Sequence, residues 1–192
     1  MLNNLLGQLN VNLDSSNLRG FVKTLPTESD PPSGDYGVYA LFCDMCDTTG
    51  GFELTRVPVI DRELDTVYES LVKPNNSIID YNTRFRGITE DVCKHVVTTV
   101  LDEQAALLAL FNEKTILIGH SLESDLIHSA VVDTGVVFPH KMGPPKKRAL
   151  KTLCWEHLNK IIPESESGHD SAEDATACME LMKWNVGHCD SR

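Results

Sequence analysis

The sequence predicts an α/β protein: a mixed β-sheet covered by helices. Two observations carry this. Three strand-like runs, Tyr39 to Cys46, Phe52 to Asp61 and Thr66 to Val72, follow one another through linkers short enough for hairpin turns. Beyond them, segments with helical spacing alternate with short apolar runs, the order expected when helices cover a sheet that began as an antiparallel meander.

The elements follow in chain order. Residues 1 to 20, rich in Leu, Asn and Ser, read either as one short helix or as a frayed terminus. Thr24 to Gly37 is punctuated by proline, glycine and acids and reads as a loop into the first strand. That strand, VYALFCDMC from Val38 to Cys46, is apolar except for Asp44. Alternate strand residues share a face, so Phe42 and Asp44 point the same way, and a carboxylate there needs a partner. Pro58 removes a ladder hydrogen bond from the second strand, which predicts an edge position or a local bulge. Ile88 to Val96 reads as a short helix capped by Thr89. A longer helix follows, with Leu101, Ala105, Leu108 and Phe111 on one face and Asp102 and Glu103 in its first turn. Thr115 to Ile118 and Ala130 to Asp133 are short strands on either side of a helical turn at Ser121 to Ile127. Leu150, Leu153, Cys154, Leu158 and Ile161 form one helical face, and Ala175, Cys178, Met179, Met182 and Val186 another.

Composition narrows the function. With 192 residues, 41% hydrophobic and 23% charged, the chain matches an ordinary globular domain. It has no apolar run near the roughly 20 residues of a membrane span and no signal-peptide pattern, so no membrane partner and an intracellular location are expected. Six scattered cysteines suggest reduced thiols, and the CxxC spacing of Cys43 and Cys46 has no companion pair, so packing is the better reading. The net charge of −11 argues against holding nucleic acid by charge alone, but acids that bind divalent cations keep a nuclease possible. The densest positive segment, His140 to Lys151, contains Lys141, Lys146, Lys147, Arg148 and Lys151. A localisation signal, a solvated loop and a phosphate-contacting lip all remain open for it.

Chemistry concentrates at three element ends. Asp44 closes the first strand, Asp125 follows Ser121 by about one helical turn, and in GHDSAED Asp170 suits a cap with Glu173 at the third helical position. That capping places His169 beside Asp174 at a helix start, as a general base would stand beside a metal ligand. Singly, each acid reads equally as a dipole-favoured or solvated residue. Together, three carboxylates and a histidine at the ends of apolar elements form the pattern of a two-metal phosphoryl-transfer site. His157 lies on the apolar side of its helix and reads as a hydrogen-bonded core histidine.

VYALFCDMC, ELTRV, VKPNNSIIDYNTRFRGIT, ILIGHSLESDL, VVDT, FPHKMG, KRAL and GHDSAEDATACMEL, in that order, resemble the eukaryotic RNA exonuclease subfamily of the DEDDh 3′→5′ exonucleases, of the RNA exonuclease 1 and GOR type. The match runs from about Gly20 to Trp184. The resemblance implies a ribonuclease H-like fold with a five-stranded mixed sheet, three antiparallel strands then two parallel ones, flanked by helices. It divides the chain into an extension and linker over 1–35, an exonuclease domain over 36–187 and a tail over 188–192. It implies two Mg²⁺ or Mn²⁺ ions held by Asp44, Asp125 and Asp174, His169 as general base, and a single-stranded RNA 3′ end as substrate, contacted by Met45, Lys146, Lys147 and Arg148. The family and the KKR cluster together imply nuclear residence.

The first motif departs from the family's Asp-x-Glu, reading Phe42, Cys43, Asp44. Phe42 replaces the acid that bridges both ions, and Asp44 is one methylene shorter than Glu. The helix bearing Asp125 is also shortened, because SDL adjoins IHSAVVDT directly. Two expectations therefore stand together: a metal-dependent 3′→5′ exoribonuclease, or a paralogue impaired at Phe42 that binds RNA or protein.

Overall fold

A computed structural model describes residues 24, 26, 29–122, 130–162 and 170–189. Seven strands form one sheet: β1 (Val38–Leu41), β2 (Asp44–Thr48), β3 (Gly51–Ile60), β4 (Thr66–Leu71), β5 (Ile78–Asp80), β6 (Ile116–Gly119) and β7 (Val131–Asp133). The three predicted runs of the meander are all present. Leu41 lies opposite Val59 and Asp44 opposite Arg56, so β1 and β2 are one strand line, interrupted at Phe42 and Cys43. This line and β3 and β4 are mutually antiparallel, whereas β6 runs parallel to β1 and β7 parallel to β6. The expected order of three antiparallel strands and then two parallel ones is thus reached, with short β5 added against β2.

Pro58 does not stand at an edge. Its strand has β1 and β2 on one side and β4, where Glu69 faces it, on the other. Irregularities flank it instead: the break at Phe42 and Cys43 lies across from Pro58 and Val57, and the β3–β4 register shifts between Val59 and Ile60. An interior strand can accept a residue without an N–H donor where the ladder is already locally broken.

Six helices are described: α1 (Thr83–Arg86), α2 (Glu90–Cys93), α3 (Val100–Leu110), α4 (Thr134–Val137), α5 (Leu150–Leu158) and α6 (Ser171–Cys189). Thr89 caps α2 as expected, its side chain accepting from the N–H of Val92. At α3, Thr99 and Asp102 satisfy each other's backbone N–H groups in a capping box.

Two apolar clusters lie on the two sides of the sheet. Ala40, Ile60 and Ile118 pack with Leu153 and Cys154 of α5 and Ala175, Cys178 and Met179 of α6, and Phe42 rests against this group. Leu41, Val59 and Leu117 pack with Phe111, at the end of α3, and Leu122, flanked by Tyr39, Cys43 and Tyr68. Alternation along the first strand line sets this division, since Ala40 and Phe42 face one side and Leu41 and Cys43 the other. Neither Cys43 nor Cys46 forms a disulfide, and Cys46 is fully buried as packing requires.

Three expected faces shift. On α3, Leu101 is 69% exposed and Ala105 is also exposed, whereas Glu103 is buried and accepts the Tyr68 hydroxyl at 2.9 Å. Leu and Ala surround that helix on all sides, so its own periodicity does not choose the inward face. The α5 face stops short of Ile161, because Asn159 ends the helix in a left-handed conformation with φ 52°. Val186 near the end of α6 is likewise exposed. His157 packs between the rings of Phe138 and Trp184, centroids 4.7 and 4.6 Å away, but its Nε2 meets no hydrogen-bond partner among the described residues. It is an aromatic core residue rather than a hydrogen-bonded one at that atom. Burial, and secondarily the charge of Arg148, hold it below the ordinary imidazole range.

Candidate functional site

Asp44 opens β2 with its side chain fully buried, and its carbonyl accepts the Thr55 hydroxyl at 2.9 Å. Directly opposed residues share a face, so Asp44 points to the side taken by Arg56. Arg56 reaches from there to the start of α6: its guanidinium donates to Asp170 at 2.8 Å and to Glu69 at 2.7 Å. Asp170 in turn accepts the N–H of Ala172 at 3.0 Å, which makes it the side-chain cap expected of α6. Through Arg56, β3, the partner of the strand that carries Asp44, is tied to the start of the helix that carries Asp174.

Asp174 stands one turn into α6 and is 8% exposed. Burial pushes the neighbouring Cys178 thiol well above its ordinary range, with the charge of Asp174 acting in the same direction. Phe42 is half-buried on the Asp44 side of the sheet, against the cluster that α5 and α6 complete. Asp125 and His169 lie outside the described residues.

A second polar cluster, which sequence reasoning missed, closes β6 and β7. Asp133 is 7% exposed, and its carboxylate accepts the N–H of Gly135 at 2.7 Å and meets the Lys147 ammonium at 3.0 Å. Burial by itself would raise this carboxyl, but the Ser121 N–H, Lys147 and the Gly135 N–H outweigh it and hold Asp133 below the usual range. A Cβ at Gly135 would come within 3.0 Å of Asp133 Oδ1 and 3.2 Å of Lys147 Cδ, so this junction takes glycine. Thr134 Oγ1 donates to the Gly119 carbonyl at 3.1 Å, and His120 Nδ1 lies 2.9 Å from that hydroxyl. The signal for this cluster was the acid of VVDT at a strand end, but its cation comes from 14 residues further along the chain.

The basic segment is therefore partly engaged within the fold. Lys147 is bound to Asp133, Arg148 pairs with Glu156, and exposed Lys146 contacts the Met142 sulfur at 3.4 Å. Met45 is half-buried just after a register shift between β2 and β3, with its carbonyl accepting from Asn82 at 3.3 Å.

As a place for divalent cations, the described part is incomplete. Asp44 and Asp174 are hard oxygen donors, but the Phe42 ring on the same side of the sheet supplies none. Among the described residues, no three His, Cys, Asp or Glu side chains are grouped closely enough to hold a metal ion.

No family model matches the chain. Its sequence is 53% identical over 176 residues to the RNA exonuclease 1 homolog of Homo sapiens, covering 88% of this chain and 14% of that protein. Identity is also 53% over 175 residues with the putative exonuclease GOR of Homo sapiens, covering 88% and 26%. RNA exonuclease 1 of Saccharomyces cerevisiae is 42% identical over 159 residues, covering 80% and 28%. The chain thus spans less than a third of the length of these relatives. Among solved structures, the catalytic unit of Neurospora crassa Pan2, with its protease and nuclease domains, superposes with a TM-score of 0.70 at 20% identity, covering 93% of this chain and 32% of that one. The Saccharomyces cerevisiae Pan2 pseudoubiquitin hydrolase–RNA exonuclease module in complex with AAGGA RNA superposes with a TM-score of 0.66 at 22% identity, covering 90% and 32%. At such identities the likeness is one of fold, and that fold is ribonuclease H-like.

Proposed function

We propose, on the premise that the chain belongs by sequence to the RNA exonuclease 1 and GOR-type group, that it engages single-stranded RNA at 3′ ends and that Phe42 holds back metal-dependent hydrolysis there. The observation that carries this reading is the phenylalanine on the Asp44 and Arg56 side of the sheet, packed toward α5 and α6 where the family has an acid. RNA as the ligand draws on the relatives' names and on the Pan2 modules bound to RNA. The domain proper is assigned to 36–187, between an extension and linker over 1–35 and a tail over 188–192.

Asp44, Asp125 and Asp174 would hold Mg²⁺ or Mn²⁺, and two such ions, when bound, activate water and neutralise phosphate charge. His169 would take the proton of the attacking water. Without an acid at position 42, Asp44 and the acids facing it must approach with less cationic compensation, which opposes assembly of the site.

The test uses purified protein, 5′-labelled single-stranded RNA and Mn²⁺. The unmodified chain should bind the RNA and leave its length unchanged, and Phe42→Asp should shorten it stepwise unless His169→Ala is added. Stepwise shortening by the unmodified chain that His169→Ala abolishes overturns the proposal. That outcome would favour the second reading, full hydrolysis with three acids, which rests on Asp44 and Asp174 both being retained and buried.

Among the described residues no helix is long and apolar enough to cross a membrane. Nuclear residence belongs to the same proposal and rests on Lys146, Lys147 and Arg148 together with the family. If neutralising all three leaves a fluorescent fusion in the nucleus, that part fails.

A further inference from the structure

The start of α6 is gripped by a guanidinium shared between two carboxylates. Arg56 stands on β3 at an interior position, with Asp44 as its register partner on one side and Leu71 on the other. Its side chain is 20% exposed, against 42% for Glu69 and 52% for Asp170, so the cation is the least solvated member of the trio. Nε and Nη2 both meet Oε1 of Glu69, Nε donating at 2.7 Å, and Nη2 also donates to Oδ1 of Asp170 at 2.8 Å. Glu69 thus holds the plane of the guanidinium from β4 while Asp170 takes the arm directed at α6.

Asp170 passes this constraint into the helix. Its Oδ1 accepts the N–H of Ala172 at 3.0 Å, and its carbonyl accepts the N–H of Asp174 at 3.1 Å. The backbone of Asp174 is therefore reached from Arg56 through one intervening residue, and Arg56 is opposite Asp44 in the sheet. Ala172, Ala175, Cys178 and Met179 hold α6 against the sheet by apolar contact. Such burial is non-directional, whereas charge-assisted hydrogen bonds from a planar fork fix distance and angle together.

We propose that Arg56 is a positioning residue of the candidate site: by gripping Asp170 it sets how the first turn of α6 presents Asp174 to the strand line that carries Asp44. The inference rests on the reading of this site as one for RNA 3′ ends, and it adds a residue that acts through another rather than on the RNA. Hydrolysis needs its groups held to a fraction of an ångström, and a misplacement of about 1 Å can cost about 100-fold in rate. An ion pair that only stabilised the fold would leave turnover unchanged at temperatures where the protein is folded.

The experiment has two arms. In the first, amide hydrogen exchange of the full chain is compared with that of Arg56→Met in EDTA. The N–H groups of Ala172 and Asp174 should exchange about 2- to 5-fold faster in the variant, the loss expected for a partly solvated ion pair, while those of Cys178 and Leu181 keep their rates. In the second arm, turnover of 5′-labelled single-stranded RNA with Mn²⁺ is followed in the form that cuts, which on the reading above is Phe42→Asp. Adding Arg56→Met should lower kcat about 10- to 100-fold and leave KM unchanged, well below the thermal midpoint of either form. Arg56→Lys should fall between the two, because lysine keeps the charge and loses the fork. Asp170→Asn keeps a helix cap but removes the carboxylate charge, and it should also lower kcat. Arg62→Met removes a surface pair with Asp35 at 3.2 Å and should leave kcat unchanged.

An unchanged kcat in Arg56→Met overturns the proposal, and so does faster exchange that extends equally to Cys178 and Leu181, because the pair would then serve only the stability of the fold. If neither Phe42→Asp nor the unmodified chain shortens RNA, the hydrolytic reading falls and the positioning role falls with it. If the unmodified chain cuts, the reading of Phe42 alone falls, and the same comparison of kcat made without Phe42→Asp decides the role of Arg56.

Discussion

Two strand ends carry buried acids on this sheet, and they are built differently. At the end of β7, Asp133 has its own cation and backbone donors: the Lys147 ammonium, the Ser121 N–H and the Gly135 N–H surround one carboxylate. At the start of β2, Asp44 stands opposite Arg56, whose guanidinium binds Glu69 and Asp170, and on that side of the sheet the Phe42 ring precedes it in the strand line. The first junction is a structural ion pair reinforced by backbone donors. At the second, an apolar ring lies beside the buried carboxylate on the same side of the sheet. A buried carboxylate therefore identifies neither a catalytic nor a structural role until the groups around it are known.

The largest test of this contrast is Asp133→Ala. It removes the carboxylate that meets the Lys147 ammonium and accepts the Gly135 N–H, and should cost about 2–4 kcal/mol in urea denaturation, below the range for a fully buried pair because Lys147 keeps partial solvent access. Adding Lys147→Met should recover part of the loss, and if neither variant moves the midpoint, the structural reading of this pair fails. The pH dependence has a definite sign. The Asp133 carboxyl is lowered in the folded state, so its contribution is fully present above the ordinary carboxylate range. It should be lost as pH falls through the depressed folded value, and Asp133→Ala should flatten the acid limb of the stability curve.

Phe42→Asp should act more modestly on the metal-free protein, costing about 1–3 kcal/mol for the half-buried ring it removes. Its characteristic effect should come with Mn²⁺, which should raise the thermal midpoint of this variant and leave that of the unmodified chain unchanged. A matching rise in the unmodified chain would mean that the second junction holds metal as it stands. Asp170→Ala, the smallest change, removes the α6 cap and one partner of Arg56. Both groups are partly solvated, so the loss should be about 1 kcal/mol, with RNA affinity unchanged.

Much of the fold was readable from period and punctuation. Alternation placed Ala40 and Phe42 on one face and Leu41 and Cys43 on the other, and Thr89 and Asp170 announced their helices. What misled was composition without direction. The α3 residues Leu101 and Glu103 exchanged their expected places because Tyr68, 35 residues away in the chain, supplies a donor to the buried acid. Pro58 implied an edge or a local bulge, and the structure takes the second: the strand line beside it breaks and leaves it inside the sheet.

The sequence alone determined the order of the elements, the likeness to RNA exonucleases, and the place of Phe42 two residues before Asp44, because these depend on residue identity and local spacing. Tertiary structure alone decided that Arg56 joins β3 to the start of α6 and that Lys147 meets Asp133. It also decided that Trp155 stays outside the core. Each of these is a relation between residues far apart in the chain. Electrostatic pairing and burial act through space, so they have no period in the sequence from which to be read.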